Sequence, residues 1–310
     1  MNREDARINV LREILEPPGP GPRHIGDDAA VLPWTSGNLV VSVDAQVEGT
    51  HFRRDWCSAE DIGYRSLMAA ASDLAAMGVG AIGAVAALAL PPEFTDDDLR
   101  ALAKGQKLAA DEIGCPVVGG NLTRSAQLSV TTTVMGSGLS ALSRRGAKPG
   151  ESIYVAGALG LARAGLLGFE RGIALPAGRE AFCRPKAQMA AGIAAAAAGC
   201  SACMDVSDGL AEDAPRLATA SNVTLWFQSA QLLALGGAAL VDAARVLGSS
   251  PLDLALEGGE DYALLCTGPK LPPGFTRVGV VREASNRVED ARVYVDEVRL
   301  TARGFSHFAE

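Results

Sequence analysis

The chain is poor in histidine, cysteine and aromatic side chains, and each shortage excludes a class of function. Its 310 residues include three histidines, six cysteines and 5% aromatic residues. Three dispersed histidines do not make the His-rich centre typical of transition metals, and no Ser-His-Asp or Cys-His arrangement indicates a covalent nucleophile. The cysteines are too few and too scattered for a disulfide framework, so we expect reduced thiols.

A single CxxC motif, formed by Cys200 and Cys203, suits either a redox pair or half of a zinc site. No second pair and no neighbouring histidine completes either kind of site. Because free cysteine is a common small core residue, a structural role is favoured.

The chain also lacks a basic run and a long apolar run. A formal net charge of -8 and a pI near 5.1 would repel a nucleic-acid backbone or an anionic membrane. The longest apolar run, residues 81–90, is shorter than the roughly 20 residues of a membrane span and predicts a buried strand. The charged N-terminus leads into an amphipathic helix rather than a signal peptide. We expect a cytoplasmic protein that binds neither nucleic acid nor membrane.

What the chain does contain is typical of a soluble two-domain protein. Hydrophobic residues make up 48% and charged residues 21%, and the length exceeds that of one ordinary core. Strands alternating with helices predict an α/β or α+β architecture. Helices are predicted at 58–77, from 95 and at 185–199, and strands at 127–138 and 152–156. The polar segment 139–150 is the candidate linker, which predicts domains at 1–147 and 148–310.

Carboxylates stand at the ends of apolar stretches, where they suit a hard cation. In residues 205–209, Asp205 and Asp208 flank Ser207 and are followed by Gly209. Mg²⁺ prefers such oxygen ligands and is usually held by a few carboxylates together with substrate phosphates. The two aspartates would share a helical face if a helix began directly after the strand, although Asp208 suits a helix N-cap equally well. The sequence therefore predicts a magnesium-phosphate site.

Two other patterns favour ordinary structural roles. The three aspartates at 96–98 follow Thr95 and are typical of a capped helix start rather than of a metal site. The glycine turn at 157–160 only loosely matches a phosphate-binding loop, because it has neither the third glycine of a dinucleotide fingerprint nor the GK[ST] of a Walker loop. A plain strand-to-helix turn is favoured there.

The order and spacing of the motifs resemble the thiamine-monophosphate kinase family over nearly the whole chain. The motifs are GDDAAV at 26–31, SVD at 42–44, EGTHF at 48–52, SDLAAMG at 72–78, VGGN at 118–121, SRRGAKPG at 143–150, DVSDGL at 205–210, GGEDY at 258–262 and GFSHF at 304–308. GDDAAV or SDLAAMG alone indicates only the wider superfamily that includes aminoimidazole ribonucleotide synthetase. The EGTHF, DVSDGL and GGEDY combination is specific to the kinase.

This resemblance implies a fold and a reaction. The fold would be an aminoimidazole ribonucleotide synthetase-like two-domain architecture, with an α/β N-terminal domain for metal and ATP binding and for dimerisation. An α+β C-terminal domain would complete the active site. The reaction would be ATP-dependent phosphorylation of thiamine monophosphate to thiamine diphosphate, by direct in-line transfer with several Mg²⁺ ions and without a phosphoenzyme. The partners would be thiamine monophosphate, ATP and a second copy of the chain.

The resemblance also implies roles for individual residues. Metal ligands would be Asp28, Ser42, Asp44, Asp73, Asp205 and Asp208. ATP would contact Gly120, Asn121, Arg144 and Ser207. The thiamine-phosphate pocket would be lined by His51, Glu260 and Phe305, since an acid and an aromatic face suit a cationic thiazolium ring. Each of the last three residues also has an ordinary alternative: a partly buried histidine, a capping glutamate and a core phenylalanine. Arg144 could equally be a solvated linker residue.

Two positions depart from the family pattern, and both concern the metal ligands. The family usually carries Asp after the Gly-Gly pair, where this chain has Asn121, and commonly has Thr where this chain has Val43. Asn121 therefore motivates an alternative, a nucleotide-binding relative whose catalysis has decayed. A second alternative is a superfamily ATP-dependent enzyme that acts on another small substrate. The missing C-terminal cysteine and the lack of any cysteine before Cys57 count against the hydrogenase maturation factor and selenophosphate synthetase.

Overall fold

The computed structural model describes residues 10, 11, 13–15, 37–284 and 292–300. Contacts between Cα atoms divide the chain into two compact units. Unit 1 comprises residues 1–74 and 80–139, and unit 2 comprises residues 75–79 and 140–310. The change of unit after Leu139 falls at the start of the predicted linker, while the domain boundary at 147/148 and the domain roles stay predictions.

Unit 1 is built on a four-stranded mixed sheet with the order β1-β4-β2-β3. The strands are β1 (Asn38–Val47), β2 (Gly80–Leu90), β3 (Val117–Arg124) and β4 (Ser129–Gly138), and the helices are α1 (Ala59–Ala76) and α2 (Asp96–Ile113). Strands β2 and β3 are parallel because α2 crosses between them, whereas β4 runs antiparallel to β1 and β2. The predicted strands at 81–90 and 127–138 are confirmed.

Helices α1 and α2 begin at the predicted caps. Thr95 accepts a hydrogen bond from the amide of Asp98, and the Asp98 carboxylate accepts one from the amide of Thr95. Ser58 and Asp61 form the same reciprocal pair at the start of α1. The capping role predicted for the acids at 96–98 is thus confirmed for Asp98.

Unit 2 is built on a seven-stranded mixed sheet with the order β11-β10-β7-β9-β5-β8-β6. Its strands are β5 (Ser152–Ala156), β6 (Ala202–Val206), β7 (Val223–Phe227), β8 (Ala263–Gly268), β9 (Thr276–Glu283), β10 (Val293–Val295) and β11 (Val298–Arg299). Its helices are α3 (Leu161–Arg171), α4 (Pro176–Cys183), α5 (Met189–Ala197), α6 (Leu210–Ser221), α7 (Ser229–Leu247) and α8 (Pro251–Glu257). Apolar side chains from both sheet and helices form one buried core.

The predicted helix at 185–199 is wrong at its start. Helix α5 begins at Met189, and the separate helix α4 ends at Cys183. Pro185 explains the gap, because a residue that precedes proline is driven away from helical geometry, which ends α4 at that point.

Helix α7 is the one helix in the described residues that is long and apolar enough to cross a membrane. It is not continuous, since Gly237 has φ 58° and ψ -157° and divides it into two shorter helices. Leu232, Leu240 and Leu247 are buried in the core of unit 2. One side of α7 therefore packs into the core of unit 2.

Candidate active site

In unit 1, three predicted metal ligands lie close to one face of the sheet. Ser42 and Asp44 alternate with exposed residues along β1, so both point to the same side. The Ser42 hydroxyl donates a hydrogen bond to the carboxylate of Asp73, which α1 contributes. Strand β1 and helix α1 thus bring together two ligands that are distant in the sequence.

Asp44 is held by a buried polar chain. Its Oδ2 accepts a hydrogen bond of 2.9 Å from Nε2 of Gln46, and Oε1 of Gln46 accepts one of 3.0 Å from Nε of Arg65. Gln46 and Arg65 are both buried. Burying a polar group costs free energy unless the group is hydrogen-bonded. The hydrogen bonds of Gln46 and Arg65 therefore keep the face of β1 that carries Asp44 turned in one direction.

Gly120 lies in the same row of paired strand residues as Asp44. Strand register places Asp44, Thr132, Ala86 and Gly120 side by side in one row. A Cβ atom on Gly120 would come within 1.8 Å of the Ala86 carbonyl oxygen, and its φ of 155° also favours glycine. Burial does not alternate along β3, so strand alternation does not assign the Asn121 side chain to a face. Within unit 1, register sets Gly120 in the row of Asp44.

His51 sits in the turn that follows β1. The amide of Val47 donates a hydrogen bond of 3.1 Å to Nδ1 of His51, so a neutral ring carries its proton on Nε2. Glu48 of the same motif forms an ion pair of 2.8 Å with Arg54, and Phe52 is buried. The EGTHF motif is thus a turn that presents one defined tautomer of His51.

In unit 2, Asp205 and Asp208 do not share a helical face, because no helix begins directly after the strand. Asp205 lies on β6, which ends at Val206, and α6 begins only at Leu210. The N-cap of α6 is Gly209, with φ 110° and no side-chain cap, so the alternative that Asp208 is the N-cap is wrong. Asp208 instead lies in a tight turn between strand and helix.

This turn contacts the GGEDY loop. The amide of Glu260 donates a hydrogen bond of 2.8 Å to the Ser207 carbonyl, and the amide of Tyr262 donates one of 2.9 Å to the Val206 carbonyl. The hydroxyl of Tyr262 also donates a bond of 2.9 Å to Oε2 of Glu260. Glu260 has a positive φ of 69°. Predicted ATP-, metal- and substrate-binding residues therefore meet at the ends of β6 and β8.

Asp261 anchors the GGEDY loop from behind. Its carboxylate accepts hydrogen bonds from the amides of Gly160, at 2.6 Å, and Ala162, at 3.3 Å, at the N-terminus of α3. Burial raises the pKa of Asp261 to about 7, although these two amides act in the opposite direction. The glycine turn at 157–160 is thus the strand-to-helix turn that its sequence favours, and Asp261 occupies its amides.

Two residues next to Asp208 were not singled out from the sequence. Asp213, in the first turn of α6, accepts hydrogen bonds from the amides of Ser207 and Asp208, and Arg216 bridges Asp213 and Asp208. Burial raises the pKa of Asp213 to about 6, although the hydrogen bonds from the two amides and the charge of Arg216 lower it. An acidic residue in the first turn of a helix is usually explained by its favourable interaction with the helix dipole. The sequence pattern therefore does not indicate that Asp213 binds the amides of Ser207 and Asp208.

The side chain of Arg144 is exposed, and its main chain is tied to unit 2. Its carbonyl oxygen accepts a hydrogen bond of 3.0 Å from Oγ of Ser221, and the carbonyl of Ser143 accepts one of 2.9 Å from Cys203. The predicted linker is therefore anchored to unit 2 by hydrogen bonds. The ATP contact predicted for Arg144 stays a prediction.

Asp28 and Phe305 lie outside the described residues. All six cysteines are buried and none forms a disulfide, and Sγ of Cys200 lies 3.6 Å from Sγ of Cys266 on β8. In the described part of the chain, no three His, Cys, Asp or Glu side chains converge as a ready metal site.

Comparison with known proteins identifies the family of this chain. Residues 26–138 match the family described as AIR synthase related protein, N-terminal domain. The thiamine-monophosphate kinase of Mycobacterium tuberculosis is 37% identical over 290 residues, which cover 92% of this chain and 85% of that protein. The relative from Aquifex aeolicus is 31% identical over 97% of this chain and 96% of its own length.

Solved structures show the same relationship. AaThiL complexed with AMPPCP and TMP superposes with a TM-score of 0.80, at 32% identity, over 97% of this chain and 96% of that chain. Hydrogenase maturation protein HypE, at 19% identity and a TM-score of 0.75, shares the fold alone. The two-domain AIR synthase-like architecture is therefore shown. By identity and coverage, the chain belongs to the thiamine-monophosphate kinase family.

Proposed function

We propose that this protein phosphorylates thiamine monophosphate to thiamine diphosphate with ATP, by direct in-line transfer assisted by several Mg²⁺ ions. The observation that supports the proposal is the backbone hydrogen bond from the Glu260 amide to the Ser207 carbonyl, which joins the two segments that carry residues assigned to ATP, metal and substrate. Membership of the kinase family and the AaThiL complex with AMPPCP and TMP support the same reaction. The family context also supports a cytoplasmic location.

The oxygen donors present fit Mg²⁺. Ser42, Asp44 and Asp73 in unit 1, and Asp205 and Asp208 in unit 2, offer a hydroxyl and carboxylates, which are the ligands of hard cations. Bound Mg²⁺ would neutralise phosphate charge in the transition state. The hydrogen bonds of Ser42 with Asp73 and of Gln46 with Asp44 hold these donors in place before substrate arrives.

Substrate recognition is assigned to His51, Glu260 and Phe305. The Glu260 carboxylate, held by Tyr262, would face the cationic thiazolium ring, and Nε2 of His51 would donate to a substrate oxygen. Gly120, Asn121, Arg144 and Ser207 are assigned to ATP. Because Gly120 has no side chain, ATP would meet the backbone there.

A homodimer is proposed through the outer face of the unit 1 sheet. Leu39, Val41 and Val43 on the edge strand β1 are 50%, 56% and 61% exposed. Contiguous apolar side chains on one sheet face are typical of a protein interface, and the family is expected to pair this sheet with that of a second copy.

Asn121 is the observation that favours the second candidate, a relative that binds nucleotide without catalysis. Its amide oxygen can ligate Mg²⁺ but neutralises less charge than the carboxylate usual in the family. The other predicted acids are all retained, and for this reason the kinase is the conclusion.

The proposal is tested by thiamine diphosphate formation from thiamine monophosphate and ATP. A reaction without metal and a reaction with thiamine in place of the monophosphate serve as controls. Mg²⁺-dependent product from the monophosphate alone is the expected result. If ATP binds and no product forms, the decayed relative or one that acts on another substrate is correct.

A further inference from the structure

One carboxylate oxygen holds the main chain of two predicted ligand residues. Oδ2 of Asp213 accepts hydrogen bonds of 3.0 Å from the amide of Ser207 and of 2.9 Å from the amide of Asp208. The Asp213 side chain is only 1% exposed. Burying a carboxylate costs free energy unless it is hydrogen-bonded. The hydrogen bonds of Asp213 are therefore what stabilise its side chain in this buried position.

The other oxygen of Asp213 reaches the Asp208 side chain through an arginine. Nη1 of Arg216 lies 2.6 Å from Oδ1 of Asp213 and 2.6 Å from Oδ2 of Asp208. Asp213 therefore fixes the main chain of Asp208 directly and its carboxylate indirectly. Charge-assisted bonds of this kind are shorter and stronger than neutral ones.

These bonds do not serve to cap the helix. The amides that Asp213 binds belong to residues before α6, and the N-cap Gly209 uses its own carbonyl to accept the first helical bonds, from Glu212 and Asp213. The bonds of Asp213 shape the turn that carries the predicted ligands. A role confined to helix stability would not require them.

We propose that Asp213 is a positioning residue for Mg²⁺ and ATP, acting through the main chain of Ser207 and Asp208 and, by way of Arg216, through the Asp208 carboxylate. This inference rests on the proposed function for the identity of the ligand. Outer partners of metal ligands typically change metal affinity by roughly 10- to 100-fold when they are removed.

The test measures binding of Mg²⁺ with the ATP analogue AMPPCP by calorimetry, and thiamine diphosphate formation as a function of Mg²⁺ concentration. Asp213→Asn removes the charge, while Asp213→Glu keeps the charge and displaces the carboxylate by one methylene. We expect both variants to raise the Kd and the Mg²⁺ concentration for half-maximal activity by roughly tenfold or more. A role through charge alone would leave Asp213→Glu near the wild type and overturn the inference.

The control is Asp242→Asn on α7. Asp242 pairs with Arg245 at the same i,i+3 spacing as Asp213 with Arg216, but both side chains are exposed, so binding should be unchanged. If Asp213 had only a structural role, Asp213→Asn would lower the unfolding temperature while the folded variant kept the wild-type Kd. This result would contradict the inference.

Two further comparisons complete the test. The losses of binding free energy caused by Asp208→Asn and Asp213→Asn should be clearly non-additive in the double variant, because Asp213 acts through Asp208. Additive losses would count against the proposal. Wild type that binds Mg²⁺ and AMPPCP but does not phosphorylate thiamine monophosphate would refute the proposed function alone. Wild type that does not bind AMPPCP with Mg²⁺ would refute both.

Discussion

The amide of Glu260 donates a 2.8 Å hydrogen bond to the carbonyl oxygen of Ser207, and this bond joins two motifs that lie far apart in the chain. It follows from the antiparallel pairing of β6 with β8, which sets Val206 opposite Ala263 and brings the two loops together. The pairing of two strands thus places an acid assigned to the substrate beside a serine assigned to ATP.

Ser207→Ala should weaken ATP binding without destabilising the fold. The Ser207 amide is bound by Asp213 and its carbonyl by Glu260, which leaves the hydroxyl as the group for ATP. Loss of one hydrogen bond, worth about 1 kcal/mol, should raise the Kd for AMPPCP roughly fivefold. Calorimetry measures this effect, and an unchanged Kd would remove Ser207 from the ATP site.

Asp205→Asn should abolish turnover while the protein stays folded. Asp205 lies on β6, and the substitution keeps its shape while it removes the charge that would hold Mg²⁺. We expect kcat/KM to fall by about 100-fold or more, the order seen when one electrostatic partner of a transition state is lost. Circular dichroism serves as the folding control. Near-normal activity would show that the metal assignment is wrong.

Gly120→Ala should destabilise unit 1. The new Cβ would overlap the Ala86 carbonyl oxygen at 1.8 Å, so β2 and β3 would have to separate, at a cost of roughly 3 kcal/mol. Gly114→Ala is the control, because Gly114 also has positive φ but nothing within 4 Å of its Cβ, and it should cost about 1 kcal/mol. The two free energies of unfolding come from urea titration; equal losses would contradict the steric argument.

Asp261 should make stability depend on pH near neutrality. Burial raises its pKa to about 7 in the folded protein, above the value of 3.8 expected when unfolded. Its contribution to the free energy of unfolding is therefore full below pH 4 and lost as the pH rises towards 7 and above.

Asp261→Asn isolates this contribution because other acids titrate in both proteins. The stability of the wild type relative to the variant should fall between pH 5 and pH 7, as measured by urea unfolding at each pH. A difference that does not vary with pH would show that Asp261 is already ionised in the folded protein at pH 5.

Val41→Glu should convert the proposed dimer to a monomer. Val41 is 56% exposed on the outer face of β1, and a charge there would be desolvated without a partner in the interface. Sedimentation should show a single species of about half the wild-type mass. Glu60→Gln on α1 provides a control outside that face. A wild type that sediments as a monomer, or a variant that remains a dimer, would refute the proposed interface.

Local patterns were enough to predict much of this protein from sequence. The capped starts at Ser58 and Thr95 and the strands at 81–90 and 127–138 depend on neighbouring residues, and the motifs identified the family without any coordinates. The predicted start of α5 is wrong. The alanine-rich sequence favours a helix from residue 185, but the proline there ends the preceding helix and α5 begins only at Met189.

Only the tertiary structure decided how the site is assembled. Sequence spacing would set Asp205 and Asp208 on one helical face only if a helix began directly after the strand, but the helix begins at Leu210, and Gly209, at φ 110°, is its N-cap. The roles of Asp213 and Arg216 likewise depend on how α6 packs against the turn. Short-range preferences can be read from neighbouring residues, whereas hydrogen bonds between distant segments exist only once strand pairing and burial have brought those segments together.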